Sequence, residues 1–221
     1  VVTELPYENG DDKFRPDITV LINGMPLSFI EVKRQNNREG ILTERNRMER
    51  RFGNKIYRKF VGITQFTVFS NNNEYDDSDI EPIQGAFYAS SSYTRMFFSK
   101  FREQREEELK ARMKAIDTED EAFILSDTNL IVIKGTPEYI SSINEDSPTN
   151  RIITSLYTKD RILFLLKYGI CYKMTTNKDG ITQIEKHIMR YPQMFATMAI
   201  RDKLREGIRK GVIWHTQGSG K

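Results

Sequence analysis

The sequence predicts an α/β fold, and three stretches carry that prediction. Residues 17–33, "DITVLINGMPLSFIEVK", alternate apolar and polar side chains with period two about an Asn-Gly pair. Residues 42–60, "LTERNRMERRFGNKIYRKF", repeat their apolar side chains at helical intervals, and residues 61–72, "VGITQFTVFSNN", form an apolar run that ends in asparagines. Strands and helices therefore interleave along the chain.

In order, strands are expected at 17–23 and 27–33, joined by a turn of two or three residues. Ile18, Val20, Ile22, Ile30 and Val32 share one parity and face a core, while Asp17, Thr19, Glu31 and Lys33 share the other. The helix over 42–60 holds seven Arg or Lys against two Glu, with Gly53 as a point where it divides. A buried strand over 61–72 precedes "YDDSDIEP", a solvated loop. The charge-dense Arg102 to Glu121 is expected as one exposed helix. "FILSDTNLIVIK" fits strand or helix, and "TPEYISSINEDSPTN", with two prolines, reads as loop. "TKDRILFLLKYG" is a helix with Thr158 as N-cap and Gly169 just past its end. "NKDG" at 177–180 marks a turn. The stretch "KHIMRYPQMFATMAIRDKLREGIRKG" is mostly helical, with Pro192 near a start or break, and it leads into an apolar strand and Gly-rich turn, "GVIWHTQGSGK".

Composition sets the outer bounds. At 221 residues, 38% hydrophobic and 29% charged, the chain suits one large domain or two small ones with real cores. No run approaches the roughly 18 apolar residues of a membrane span, and the start lacks a signal-peptide layout, so a soluble, cytoplasmic protein with no membrane partner is expected. The Val1 start reads as a piece cut from a longer polypeptide. Cys171, in "LLKYGICYKM", is expected in the core. His187 and His215 lie too far apart in sequence to suggest a zinc site. A net charge of +3 argues little by itself.

Asp17, Glu31 and Lys33 are poor strand-interior residues, so packing does not account for them. The hairpin puts Asp17 opposite Glu31 or one position from it. Facing carboxylates repel unless a proton or cation joins them, and Mg²⁺ is the usual partner of an all-oxygen cluster. Lys33 on the same face can orient or deprotonate a water, or stabilise charge developing on a phosphate. The plainer alternative is an exposed Asp17–Lys33 ion pair with Glu31 on the surface.

Pro16-Asp17, a turn, then Glu31-Val32-Lys33 resembles the PD-(D/E)xK motif of restriction-type nucleases, in which the two acids bind Mg²⁺ and the lysine assists phosphodiester hydrolysis. "WHTQGSGK" resembles the helicase form of a Walker A loop, with His215 in place of the first glycine. There the backbone around Gly218, Ser219 and Gly220 would cradle ATP phosphates and Lys221 would reach them. "RYPQMFA" resembles the Q motif of superfamily 2 helicases, with Gln193 as an adenine contact or, alternatively, an ordinary surface glutamine.

A nuclease hairpin and a helicase loop in one chain resemble the R (motor) subunit of type I restriction-modification enzymes. The resemblance implies a restriction-endonuclease-like mixed sheet flanked by helices, then a helical connection to a RecA-like motor domain that is absent. It divides the chain into an N-terminally truncated nuclease core over 1–105, a mainly helical connection over 106–185, and the start of the motor over 186–221, truncated at Walker A. It implies Mg²⁺ and, in the full-length protein, ATP as cofactors. The implied partners are double-stranded DNA and the specificity and modification (methyltransferase) subunits. The family's Gln-x-x-x-Tyr element has no match between Asn36 and Phe60; in its place Arg45, Arg47, Arg50 and Arg51 are expected to meet DNA phosphates, or else to form a solvated face against an acidic surface. Two other readings remain: a helicase or repair protein using its nuclease elsewhere, and a DNA-binding or assembly module with an inactive nuclease fold.

Overall fold

The computed structural model of the chain describes all residues except 11, 38, 79, 82–83, 93–94, 128–129, 177, 181 and 216–221. The strands are β1 (Val2–Thr3), β2 (Tyr7–Asn9), β3 (Asp12–Phe14), β4 (Ile18–Ile22) and β5 (Met25–Val32), followed by helix α1 (Gly40–Gly53). A 3₁₀ turn at Lys55–Tyr57, α2 (Arg58–Ile63), β6 (Phe66–Ser70), β7 (Ala86–Ala89) and β8 (Ser99–Lys100) complete the first half. The second half holds α3 (Glu106–Lys110), α4 (Thr118–Asp127), α5 (Pro137–Ser142), α6 (Pro148–Leu156), α7 (Lys159–Phe164), β9 (Ile170–Thr176), β10 (Thr182–Ile188) and α8 (Tyr191–Arg205).

The fold is α/β, with a mixed six-stranded sheet in the order β1-β4-β5-β6-β7-β8, in which β5 and β6 run parallel and the other pairs antiparallel. Parallel neighbours need a crossover, which α1 and α2 supply after dividing at Gly53 as expected. The β4–β5 hairpin turns on Asn23 and Gly24, at φ +51° and +78°, the left-handed pair that an Asn-Gly turn requires. Its register pairs Ile18 with Ile30 and shifts between Val20 and Leu21, so Leu27 bulges out of the ladder. Pro26 pairs with β4 alone, because the ladder to β6 begins at Ser28, and its missing N–H leaves no gap there.

Both faces of the sheet are covered. Phe29, Phe69 and Phe87 pack with Ile41, Met48, Phe52 and Phe60 of α1 and α2. Ile30, Phe66, Val68 and Tyr88 pack with Ile152 and Leu156 of α6, Phe164 of α7, and Met194, Phe195 and Met198 of α8. All five residues of β6 are buried, as a central strand between two layers demands. The hairpin β9–β10 stands apart from this sheet. Lys186 fastens it, donating from Nζ to the Val61 and Thr64 carbonyls at 2.7 and 2.5 Å where α2 ends. Burial pushes this lysine down to about 8.

Several expectations are corrected. Val32, expected in a core, is 39% exposed at the strand end, and the alternative that leaves Glu31 on the surface fails, since Glu31 is 1% exposed. The 102–121 segment is two helices, because Asp117 caps a new start by accepting from the Glu119 N–H at 2.8 Å. Pro137 and Pro148 begin helices instead of marking loop, behind the N-caps Thr136 and Ser147. Residues 211–214 form no strand: they find no ladder partner among the described residues, and Val212 and Trp214 are each 91% exposed. Cys171 is exposed, since β9 belongs to the separate hairpin. Ser147 accepts from the Asn150 N–H at 3.3 Å, so Ser147→Ala should lower stability by about 1 kcal/mol, read as a lower urea midpoint at unchanged slope.

Candidate active site

Pro16, buried just before β4, leads Asp17 to the strand's edge. There Asp17 Oδ2 accepts from the Val32 N–H at 2.8 Å, across the end of β5. One residue on, the Lys33 N–H donates to the Ser70 carbonyl at 2.8 Å, which extends the parallel ladder and fixes the lysine. The two strand ends thus bring Asp17, Glu31 and Lys33 together on one side of the sheet, beneath α1.

Lys33 Nζ sits 3.3 Å from Glu31 Oε2, 3.1 Å from Glu44 Oε2 and 3.9 Å from Asp17 Oδ2. Glu31 is 1% exposed, and its second oxygen, Oε1, has no hydrogen-bond partner among the described residues. Burial first, and then the neighbouring Asp17 and Glu44 charges, push the Glu31 carboxyl up to about 8, against the opposing pull of Lys33. Burial would lower Lys33, but Glu44, Glu31 and Asp17 outweigh it and hold the lysine above its ordinary value. That favours the ammonium form, which suits charge stabilisation and the orientation of a water.

Glu44 was not foreseen as a member of this cluster. Buried at 3% exposure, it gives one oxygen to Lys33 and the other to Arg47, whose Nη2 lies 2.8 Å away. The signal was present: Ile41, Glu44, Met48 and Phe52 form the buried stripe of α1, and a glutamate in an apolar stripe needs a reason.

The arginines expected to meet phosphate have different surroundings. Arg45 pairs with Glu81 at 3.1 Å, Arg51 lies 4.3 Å from the Phe14 ring centre, and Arg47 is committed to Glu44 though half exposed. Arg50 is exposed. Gln193 accepts from the Arg190 N–H at 3.0 Å and so caps α8. Gly218, Ser219, Gly220 and Lys221 lie outside the described residues.

Among the described residues, no three His, Cys, Asp or Glu side chains are grouped as a metal cage. The site still suits a hard divalent ion, because Mg²⁺ commonly takes one or two carboxylates and completes its shell with water and phosphate. The unpartnered Glu31 oxygen beside Asp17 is the donor such an ion would use. Among the described residues, no helix is long and apolar enough to cross a membrane.

No solved structure matches the chain. A protein of Methanocaldococcus jannaschii, provisionally named a type I restriction enzyme MjaVIIP endonuclease subunit, is 24% identical over 228 aligned positions, which take in 99% of this chain. The chain spans only about 17% of that relative's length. Residues 1–76, which contain Asp17, Glu31, Lys33 and Glu44, match the family described as type I restriction enzyme R protein N terminus (HSDR_N). The N-terminal third of the chain is thus similar to the N terminus of type I restriction R proteins, and the whole chain is weakly similar to part of a protein named as such an enzyme's endonuclease subunit.

Proposed function

We propose that this chain is the nuclease-bearing part of a type I restriction R subunit and hydrolyses DNA phosphodiesters with a divalent cation. The observation that carries the reading is the buried Glu31, with one free oxygen, held between Asp17 and the Lys33 ammonium. A bound Mg²⁺, held by Asp17 and Glu31, would polarise a phosphoryl oxygen and make an attacking water more acidic. Lys33 places a fixed positive charge where negative charge grows on the phosphate. The Val32 N–H keeps Asp17 oriented, and the layer of α1 keeps bulk water off Glu31, which strengthens every charge interaction there.

In the full-length subunit the same reading assigns ATP to the Gln193 to Lys221 segment. It gives the DNA backbone to Arg45, Arg50 and Arg51 of α1, and target choice to specificity and modification subunits. A restriction-endonuclease-like core within the six-stranded sheet belongs to this proposal too.

Mn²⁺ titration calorimetry of the chain, beside Asp17→Asn and Glu31→Gln, tests it, with thermal melts to show that all three fold. Binding by the parent that disappears in both variants is expected. A folded parent that binds no Mn²⁺ even with duplex DNA present, yet binds the DNA in a salt-sensitive way, would point to an inactive DNA-binding module instead.

A further inference from the structure

Asp17, Glu31 and Lys33 leave Glu44 and Arg47 unexplained. A buried lysine flanked only by Glu31 and Asp17 would settle onto Glu31 with both of its oxygens in reach, and would compete there with any divalent ion. Glu44 prevents that. Its Oε2 is the nearest carboxylate to Lys33, at 3.1 Å against 3.3 Å for Glu31, and it draws the ammonium toward α1. Its Oε1 is occupied by Arg47 through both Nε at 2.9 Å and Nη2 at 2.8 Å, which leaves Oε2 facing the lysine. The counterpart of this arrangement is the bare, buried Oε1 of Glu31.

We propose that Glu44, clamped by Arg47, is a positioning residue that holds Lys33 between the strand ends and α1 and so keeps one Glu31 oxygen free for a divalent cation. This rests on the nuclease reading of the same site. It assigns a role to α1 that the two strand ends alone do not supply. It also makes Arg47 a structural clamp instead of a DNA contact.

The test uses Mn²⁺ titration of the 221-residue chain together with the ¹⁵N signal of the Lys33 ammonium. Held among three carboxylates, that ammonium should exchange slowly enough to be seen in the parent. Glu44→Gln should weaken Mn²⁺ binding by about tenfold and erase the Lys33 signal, the size expected when an outer partner of a metal site is lost. Arg47→Gln should shift both readouts the same way by less, and Glu44→Asp, which keeps the charge, should recover part of the affinity.

A Glu44→Gln chain that melts like the parent and binds Mn²⁺ equally well overturns the proposal. In that case loss of binding in Asp17→Asn would show that the nuclease reading survives alone. A parent that binds no Mn²⁺ overturns both. An unchanged Lys33 signal in Glu44→Gln, even with weaker Mn²⁺ binding, also overturns it, because Glu44 would then act by its charge alone and not through the lysine.

Discussion

Glu31→Gln should make the metal-free chain more stable above pH 8 while abolishing Mn²⁺ binding and nuclease activity. The folded carboxyl sits at about 8, against 4.5 for an ordinary glutamate. Between those values the folded chain keeps a proton that the unfolded chain has released, so stability falls as pH rises through that window. Above it the ionised carboxylate is buried with one oxygen unpartnered. The accumulated cost is on the order of 3–5 kcal/mol, taking each pKa unit at about 1.4 kcal/mol and allowing for coupling to Lys33. Glutamine has the same shape and no such titration. Melting curves of the two proteins from pH 5 to 9 should therefore diverge steadily, with the parent declining. Added Mn²⁺ should restore the parent and leave the variant unmoved, since only the parent binds the ion. Parallel curves would mean that Glu31 is ionised and partnered in the fold, which would remove the main physical reason for placing a cation there.

The second large effect lies far from the site. Arg161 of α7 and Glu103, both nearly buried, form a two-pronged pair that also engages Ser155 of α6. Glu103 Oε1 accepts from the Arg105 N–H at 2.7 Å as well, and Arg161 lies 5.0 Å from the Phe195 ring centre in α8. Burial alone would raise Glu103, yet the hydrogen bonds from Arg161 and Ser155 bring it below its ordinary value. Glu103→Leu should cost about 3–5 kcal/mol, because it strands a buried guanidinium. The double variant Glu103→Leu with Arg161→Met should recover most of that loss, since matched apolar groups leave no charge uncompensated. Urea unfolding of the three proteins measures it, and a double variant no better than the single would contradict this account. The sign with pH is opposite to that of Glu31: the stabilisation is present above the ordinary carboxylate range and is lost as pH falls through the lowered Glu103 value.

What the sequence disclosed was local. Asn23-Gly24 fixed the turn, alternation fixed the hairpin, and extending the Ile18–Ile30 register by one pair sets Asp17 against Glu31. Period two also separated the faces correctly, but it could not say that both would be buried, because the cover for Glu31 comes from a helix packed through Ile41, Met48 and Phe52. The sequence also does not show the partners that two of the α1 arginines take, Glu81 for Arg45 and the Phe14 ring for Arg51. Prolines 137 and 148 read as loop in isolation, because their value as first-turn residues shows only beside the caps Thr136 and Ser147. Residues 211–214 had the composition of a strand without a neighbour to pair with. Propensity specifies such a segment, and only long-range hydrogen bonding can realise it.

The two layers over the sheet draw on different stretches of the chain, which sets an order in which they can close during synthesis. During synthesis, the face that bears Glu31 closes with sequence-near material, since α1 and α2 lie between β5 and β6 themselves. The opposite face, with Ile30, Val68 and Tyr88, waits for residues 152 to 198 to leave the ribosome. For the length of chain between Phe101 and Ile152, a nascent molecule carries a finished acidic pocket on one side of its sheet and bare hydrophobic surface on the other. That interval is where a chaperone would be needed, and where slowed or interrupted translation would yield aggregates with the site already assembled.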